Sequence, residues 1–207
     1  MPHWFDAFLV VIAAGLMGGR VGFIIWRWDY FQENLSETWQ IWQGGLSYHA
    51  ALFAGILALA VWAFLHRQPL LNYAAFFAPA FVLITVFGWV ACWLEGCAYG
   101  QETFLGVFAA DLPDDYGVFA VRYRTQLLGF LMTLAILVFI LRAQKDQPPP
   151  LLFYWTLAAV SFVLLLISLL RGDPTVFIGN MRMDTLLNGL LVVISLLLLL
   201  KYKQVKQ

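Results

Sequence analysis

Charge is scarce in this sequence. Of 207 residues, only 12 are Lys or Arg and 12 are Asp or Glu, so the formal net charge is zero. No basic excess is present to neutralise phosphates, which excludes a nucleic-acid partner. Cysteine occurs only twice, at Cys92 and Cys97. Two cysteines at that spacing make neither a zinc site nor a multi-disulfide scaffold. They read as small packing residues, with an outward-facing disulfide as the alternative. Internal repeats are also lacking, which argues against a small-solute transporter built from inverted halves.

Apolar residues are abundant instead. They make up 62% of the chain, against about 45–50% in soluble domains, and the mean hydropathy is +0.80. Six apolar runs are long enough to consider as membrane spans, near Phe5–Trp26, His49–Leu65, Asn72–Leu94, Gln126–Arg142, Leu151–Leu170 and Thr185–Leu200. A helix needs roughly 20 such residues to cross the hydrocarbon. The second and last runs are short, so their flanks are expected to join the helix. The runs are continuous rather than alternating, which disfavours barrel strands. The fold class is therefore an all-α polytopic membrane protein of about six transmembrane helices with structured extracytoplasmic loops, read as one transmembrane domain over residues 1–207. The leading MPHWFD has no Lys or Arg and contains Asp6, so the first run reads as a true span rather than a cleaved signal peptide.

Orientation follows from the lysines more than from the total cation count. Arg67, Arg142, Lys145, Lys201, Lys203 and Lys206 fall on one side, and Arg20, Arg27, Arg122, Arg124, Arg171 and Arg182 on the other. Every Lys is on the first side, in short loops and the tail, which places that side and both termini in the cytoplasm of a multi-pass protein. The other side carries ten of the twelve carboxylates, with arginine as its only cation. Arg grips phosphate and carboxylate in bidentate fashion. Either the outer arginines form an anion site, or they pair with the outer carboxylates.

Several polar groups lie within or at the ends of the runs. Arg20, in GGRVGF, stands about a turn and a half inside the first run; it could snorkel to the surface or hold a headgroup, and Gly18, Gly19 and Gly22 allow close approach. WQGGLSYHAAL joins a Gly44-Gly45 turn to Ser47, a candidate helix N-cap, then Tyr48 and His49. An outward-facing helix N-terminus favours an anion. His49 at the lipid–water boundary could act as a base toward an alcohol or thiol, or be purely structural. Glu95 ends the third run and could pair with an outer Arg. Pro79 is expected to kink that run. Arg122, Arg124, Thr125 and Gln126 open the fourth span, and Arg171 closes the fifth. Trp28–Trp42 suits a helix lying on the membrane surface, or an aromatic belt, and Pro148–Pro150 reads as a stiff hinge.

The order GGRVGF, WQGGLSYHAAL, FFAPAF, GWVACWLEGCAYG, YRTQLL and LLRGDP resembles the prolipoprotein diacylglyceryl transferase family, over about Gly18 to Leu197; the family's usual first span is not matched. The second motif is the most specific, similar to a family pattern G-G-L-S-F-H-G-G-L. The resemblance implies that His49 is the family's essential histidine, that Arg20 and Gln126 match the arginine of G-A-R-x-G-Y and the glutamine of H-P-T-Q-L-Y, and that Arg171 matches a late arginine facing the lipid phosphate. There are departures. Across Gly88–Gly100 the family signature G-R-x-G-N-F-x-N-x-E-x-x-G carries an arginine where this chain has Trp89. Its asparagines are Cys92 and Glu95, its glutamate is Cys97, and the proline of H-P-T-Q is Arg124. Ala75 stands where the family has an acidic residue. Arg124 or Arg122 is the candidate to replace the missing guanidinium.

What the resemblance implies is a transferase of the bacterial plasma membrane in lipoprotein biosynthesis. It would move a diacylglyceryl group from phosphatidylglycerol to the lipobox cysteine of a prolipoprotein signal peptide, within the lipid bilayer and without a cofactor, metal or nucleic acid. His49 and Arg171 would be catalytic, and Arg20, Tyr48, Glu95, Arg124 and Gln126 would bind substrate. The second reading is a non-catalytic homologue that binds anionic phospholipid or the lipoprotein precursor, its chemistry lost with the arginine that Trp89 replaces.

Overall fold

The computed structural model describes residues 3–104 and 106–205; Lys206 of the tail lies outside them. Among the described residues six long helices are apolar enough to cross a membrane. They are α1 (Trp4–Trp26), α3 (Tyr48–Leu65), α4 (Leu70–Glu95), α5 (Thr125–Ala143), α6 (Pro149–Ser168) and α7 (Met183–Val205), with a four-residue α2 at Trp28–Phe31. At 1.5 Å per residue, the 23 residues of α1 extend about 34 Å, enough for a hydrocarbon core of about 30 Å. Tyr48 joins the second run, and both flanks join the last one. Among the described residues strand is confined to two small antiparallel hairpins. In one, β1 (Ala109–Pro113) pairs with β2 (Phe119–Tyr123), Asp111 opposite Val121; in the other, β3 (Phe177–Ile178) pairs with β4 (Met181–Arg182).

The chain divides into two compact units, Met1–Ala74 and Ala75–Gln207. In the first, α1 packs on α3 through small residues. A Cβ added at Gly18 would lie 2.2 Å from the Ala54 Cβ, and one at Gly22 would lie 2.2 Å from the Ala50 Cβ. In lipid, helices gain little from burying apolar area against each other, so close backbone approach through glycine supplies the attraction. Ser47 is the N-cap of α3, its Oγ accepting from the Ala50 N–H at 3.3 Å.

In the second unit, Trp89, Ala98, Val163 and Ile167 form a buried cluster, and Ala75, Ile140 and Leu152 another. The hydroxyls of Ser168 on α6 and Thr185 on α7 meet at 2.8 Å. Helix α4 runs through Pro79 without interruption. The three prolines are not a free hinge: Pro148 is the N-cap of α6 and Pro149 begins it. A first turn accepts proline because its N–H groups have no intrahelical partner.

The segment after α1 is not a surface helix. Beyond α2 it holds only single 3₁₀ turns at Leu35–Glu37 and Ile41–Gln43. The reason is a competing partner. The carbonyls of Glu37, Thr38, Gly44 and Gly45 accept from the Arg20 guanidinium and cannot align along a helix axis. Trp28, Trp39 and Trp42 are exposed, as an aromatic belt requires.

Candidate functional site

Arg20, Tyr48 and His49 belong to the first unit. Arg20 is 6% exposed. Its Nε donates to the Thr38 carbonyl at 2.9 Å, Nη1 to Gly44 at 2.7 Å and Gly45 at 3.2 Å, and Nη2 to Glu37. The guanidinium also lies 5.2 Å from the Phe31 ring centroid. Four of its five N–H donors are thus engaged with backbone. Arg20 therefore ties down the turn that precedes α3. Gly44 and Gly45 have φ of 84° and 79°, a left-handed backbone that side chains disfavour. The Ser47 N–H reaches back to the Gly19 carbonyl at 2.9 Å. This anchored turn presents Tyr48 and His49 in the first turn of α3, both half-buried, with their rings edge to face at 5.3 Å. Beside the turn, Tyr30 donates to Glu37 at 2.7 Å, and that bond to the carboxylate raises the Tyr30 pKa.

Glu95, Arg124, Gln126 and Arg171 belong to the second unit. Arg124 and Gln126 line a cavity of about 380 Å³ together with Trp89, Val90, Trp93, Leu127 and Phe130. Such a volume suits a small ligand or part of a large one. The lining is apolar apart from Arg124, Gln126 and the backbone. Arg124 donates through Nε to the Ala109 carbonyl at 2.9 Å. Its terminal nitrogens make no ion pair among the described residues. Trp89 fills the wall opposite Gly129, and its indole N–H is buried without a hydrogen-bond partner among the described residues.

Arg122 is differently placed. It is buried, 3.3 Å from Asp114 and 3.4 Å from Glu102, with its guanidinium 5.2 Å from the centroid of the Tyr99 ring. Of the two candidates for the missing guanidinium, Arg124 shares the cavity of Trp89 and Arg122 braces the hairpin. Glu95 is exposed and makes no ion pair with an outer Arg among the described residues.

Cys92 and Cys97 form a disulfide, which corrects the packing-residue reading. Spacing alone could not decide this, because helix α4 ends between them and the chain reverses through Gly96 (φ 77°) and Ala98 (φ 57°). The segment that follows is a hub. Gln126 Nε2 donates to the Cys97 carbonyl at 2.9 Å and Thr125 Oγ1 to the Ala98 carbonyl at 2.6 Å. Gly100 pairs with Arg171 as an antiparallel bridge, and Gln101 Nε2 donates to the Arg171 carbonyl at 3.1 Å. Tyr99 has a raised pKa, because burial and then the nearby Asp115 and Asp114 charges disfavour its phenolate.

Arg171 sits in a two-Arg, two-Asp cluster, the pairing of outer arginines with outer carboxylates that was one of the two alternatives, though the sequence did not say which residues would meet. It grips Asp173 with Nε and Nη2, and Nη1 lies 3.4 Å from Asp184. Arg182 bonds the same two carboxylates at 3.2–3.3 Å. Burial works against the Arg171 charge, but the hydrogen bond to Asp173 and the charges of Asp173 and Asp184 prevail and raise its pKa. The signal was present as a repeated R-x-D spacing, Arg171-Gly172-Asp173 and Arg182-Met183-Asp184.

A model of the prolipoprotein diacylglyceryl transferase family matches residues 2–201. The chain belongs to that family. Its relatives include the phosphatidylglycerol–prolipoprotein diacylglyceryl transferase 2 of Clostridium perfringens (strain 13 / Type A), 24% identical over 200 residues, covering 94% of this chain and 77% of the relative. The phosphatidylglycerol–prolipoprotein diacylglyceryl transferase of Streptococcus pyogenes serotype M5 (strain Manfredo) is 24% identical over 211 residues, covering 98% of this chain and 80% of the relative.

Proposed function

We propose that this protein transfers a diacylglyceryl group from phosphatidylglycerol to the lipobox cysteine of a prolipoprotein, in the bacterial plasma membrane, with both termini cytoplasmic. Family membership supports the reaction class. The observation that carries the reading within this chain is Arg124: a guanidinium whose terminal nitrogens make no ion pair or hydrogen bond among the described residues, on the wall of a cavity otherwise apolar but for Gln126 and the backbone. An anionic headgroup joined to acyl chains needs both surfaces at once.

The chemistry then assigns roles. A thiol attacks as thiolate, and His49 takes its proton. The thiolate sulfur bonds to the glyceryl carbon as the C–O bond to phosphate breaks, and glycerol phosphate leaves with the electron pair. Neutralising that leaving phosphate is the main electrostatic task. Arg124 meets it from the cavity. Arg171 offers its Nη1 edge, held only by the longer contact to Asp184, while Asp173 fixes the other edge. Tyr48 orients the His49 ring, Gln126 lines the headgroup end of the cavity, and Arg20 holds the turn on which His49 depends. Glu95, exposed at the end of α4, contacts the incoming peptide.

The test is transfer from labelled phosphatidylglycerol to a lipobox peptide by purified protein. His49→Ala and Arg171→Ala are each expected to abolish it, and Arg124→Ala to lower it by about 10²–10³, the usual cost of one electrostatic donor. Full turnover in Arg124→Ala would remove Arg124 from the reaction. Bound phosphatidylglycerol without any transfer in the wild type would favour the non-catalytic alternative.

A further inference from the structure

We infer that the Cys92–Cys97 disulfide is a redox-sensitive positioning device, holding the segment 97–101 whose backbone in turn holds Gln126 and Arg171. Its consequence for turnover rests on the transferase reading above.

The segment has no helical hydrogen bonds to hold it, and only the packing of Ala98 in the Trp89 cluster and the burial of Tyr99 fix it laterally. It lies beyond the last turn of α4, and Ala98 adopts a left-handed backbone that an L side chain disfavours, so surrounding structure must impose it. Yet it makes connections in two directions. Toward α5, the Cys97 and Ala98 carbonyls receive the Gln126 amide and the buried Thr125 hydroxyl. Toward the end of α6, the Gln101 N–H donates to the Leu170 carbonyl at 2.8 Å, the Gly172 N–H donates to the Tyr99 carbonyl at 2.9 Å, and Gly100 pairs with Arg171. The disulfide fastens this hub to α4, where Cys92 packs against the Trp89 cluster. Cutting that one bond removes the covalent restraint on the left-handed backbone at Gly96 and Ala98, leaves packing of Ala98 as the remaining tie to α4, and loosens the backbone that both sets of contacts share.

The bond is reachable, because Cys97 is exposed. A dithiol's thiolate attacks the Cys97 sulfur, the S–S bond breaks, and Cys92 leaves as thiolate. The second thiol then closes the reagent into its cyclic disulfide and releases Cys97. Two electrons and two protons pass from the dithiol, and both cysteines end as thiols.

The experiment uses the whole protein in detergent, oxidised, reduced with dithiothreitol that is then removed, and reoxidised. It also uses Cys92→Ser/Cys97→Ser. Transfer kinetics and hydrogen exchange at the Gln101 and Gly172 amides are read together, with α6 amides as the control. Reduction is expected to lower kcat/KM about tenfold and to speed exchange at Gln101 and Gly172 but not within α6, and reoxidation to restore both. The double variant should match the reduced protein and ignore the dithiol. Equal kinetics and equal exchange in the two redox states overturn the inference, as does a double variant that still responds. General loosening of α6 overturns it too, since that is lost stability rather than positioning. If no state transfers, the transferase reading fails separately and exchange alone decides. If the double variant does not fold, the reversible wild-type cycle decides.

Discussion

A Cβ placed on Gly129 would lie 2.3 Å from the Trp89 ring. Helices α4 and α5 thus meet through an indole pressed on bare backbone, and the space that Gly129 leaves is what lets a tryptophan stand in this wall. Gly129→Ala forces the ring to move, and a tightly packed ring resists. The expected cost is about 1–3 kcal/mol, the usual range for overpacking, read as a lower unfolding temperature in detergent. Trp89→Ala in the same chain should recover part of it.

Trp89→Arg tests the same wall from the other side. Trp89 is 6% exposed and belongs to an apolar cluster, so a guanidinium there lacks a buried partner and is expected to destabilise the protein. Transfer should not rise, because Arg124 already brings a cation to this cavity. A clear gain in transfer would show that the cavity lacks a charge that Arg124 does not supply.

Arg20→Lys keeps the charge and loses the fork. An ammonium cannot reach the carbonyls of residues 37, 38, 44 and 45 at once, as the guanidinium does. The loss should be on the order of 2 kcal/mol. Limited proteolysis should show new cleavage between α2 and α3, with α1 and α3 resistant.

Gly18→Ala inserts a methyl 2.2 Å from the Ala54 Cβ. The expected penalty is again about 1–3 kcal/mol. In a double-mutant cycle, Ala54→Gly should relieve most of it, because the two positions face each other directly. Additive penalties would mean that α1 and α3 do not pack in this register.

The β1–β2 hairpin should depend on pH through Asp114. Its pKa lies below the ordinary 3.8, chiefly through the Val118 N–H, with burial opposing and the Tyr116 N–H and Arg122 charge adding to the depression. A depressed folded-state value means that this stabilisation is complete above the unfolded value and is lost as pH falls through the folded one. The Tyr116 and Val118 amide resonances should therefore hold steady down to about pH 5 and shift below about pH 4. In Asp114→Asn they should no longer titrate.

Much of this molecule is written locally. Each span is a continuous apolar run, and the cost of unpaired backbone in lipid makes such a run a helix wherever it lies. Ser47 capping α3 is equally local, since cap and N–H are three residues apart. The motif around His49 was legible for the same reason. Of the two readings of Trp28–Trp42, the surface helix failed because the Glu37 and Thr38 carbonyls answer to Arg20, 17 and 18 residues away.

The sequence by itself determined the membrane class, the six spans and the family, because hydropathy and contiguous motifs need no knowledge of neighbours. Tertiary structure alone decided which of Arg122 and Arg124 shares the cavity of Trp89, that Cys92 and Cys97 are joined, and that Arg171 stands between two aspartates. A guanidinium or a thiol is chemically the same in any loop. Its role is set by whichever carboxylate, carbonyl or sulfur the folded chain brings within about 3 Å, and that choice is not contained in the residue or its sequence neighbours.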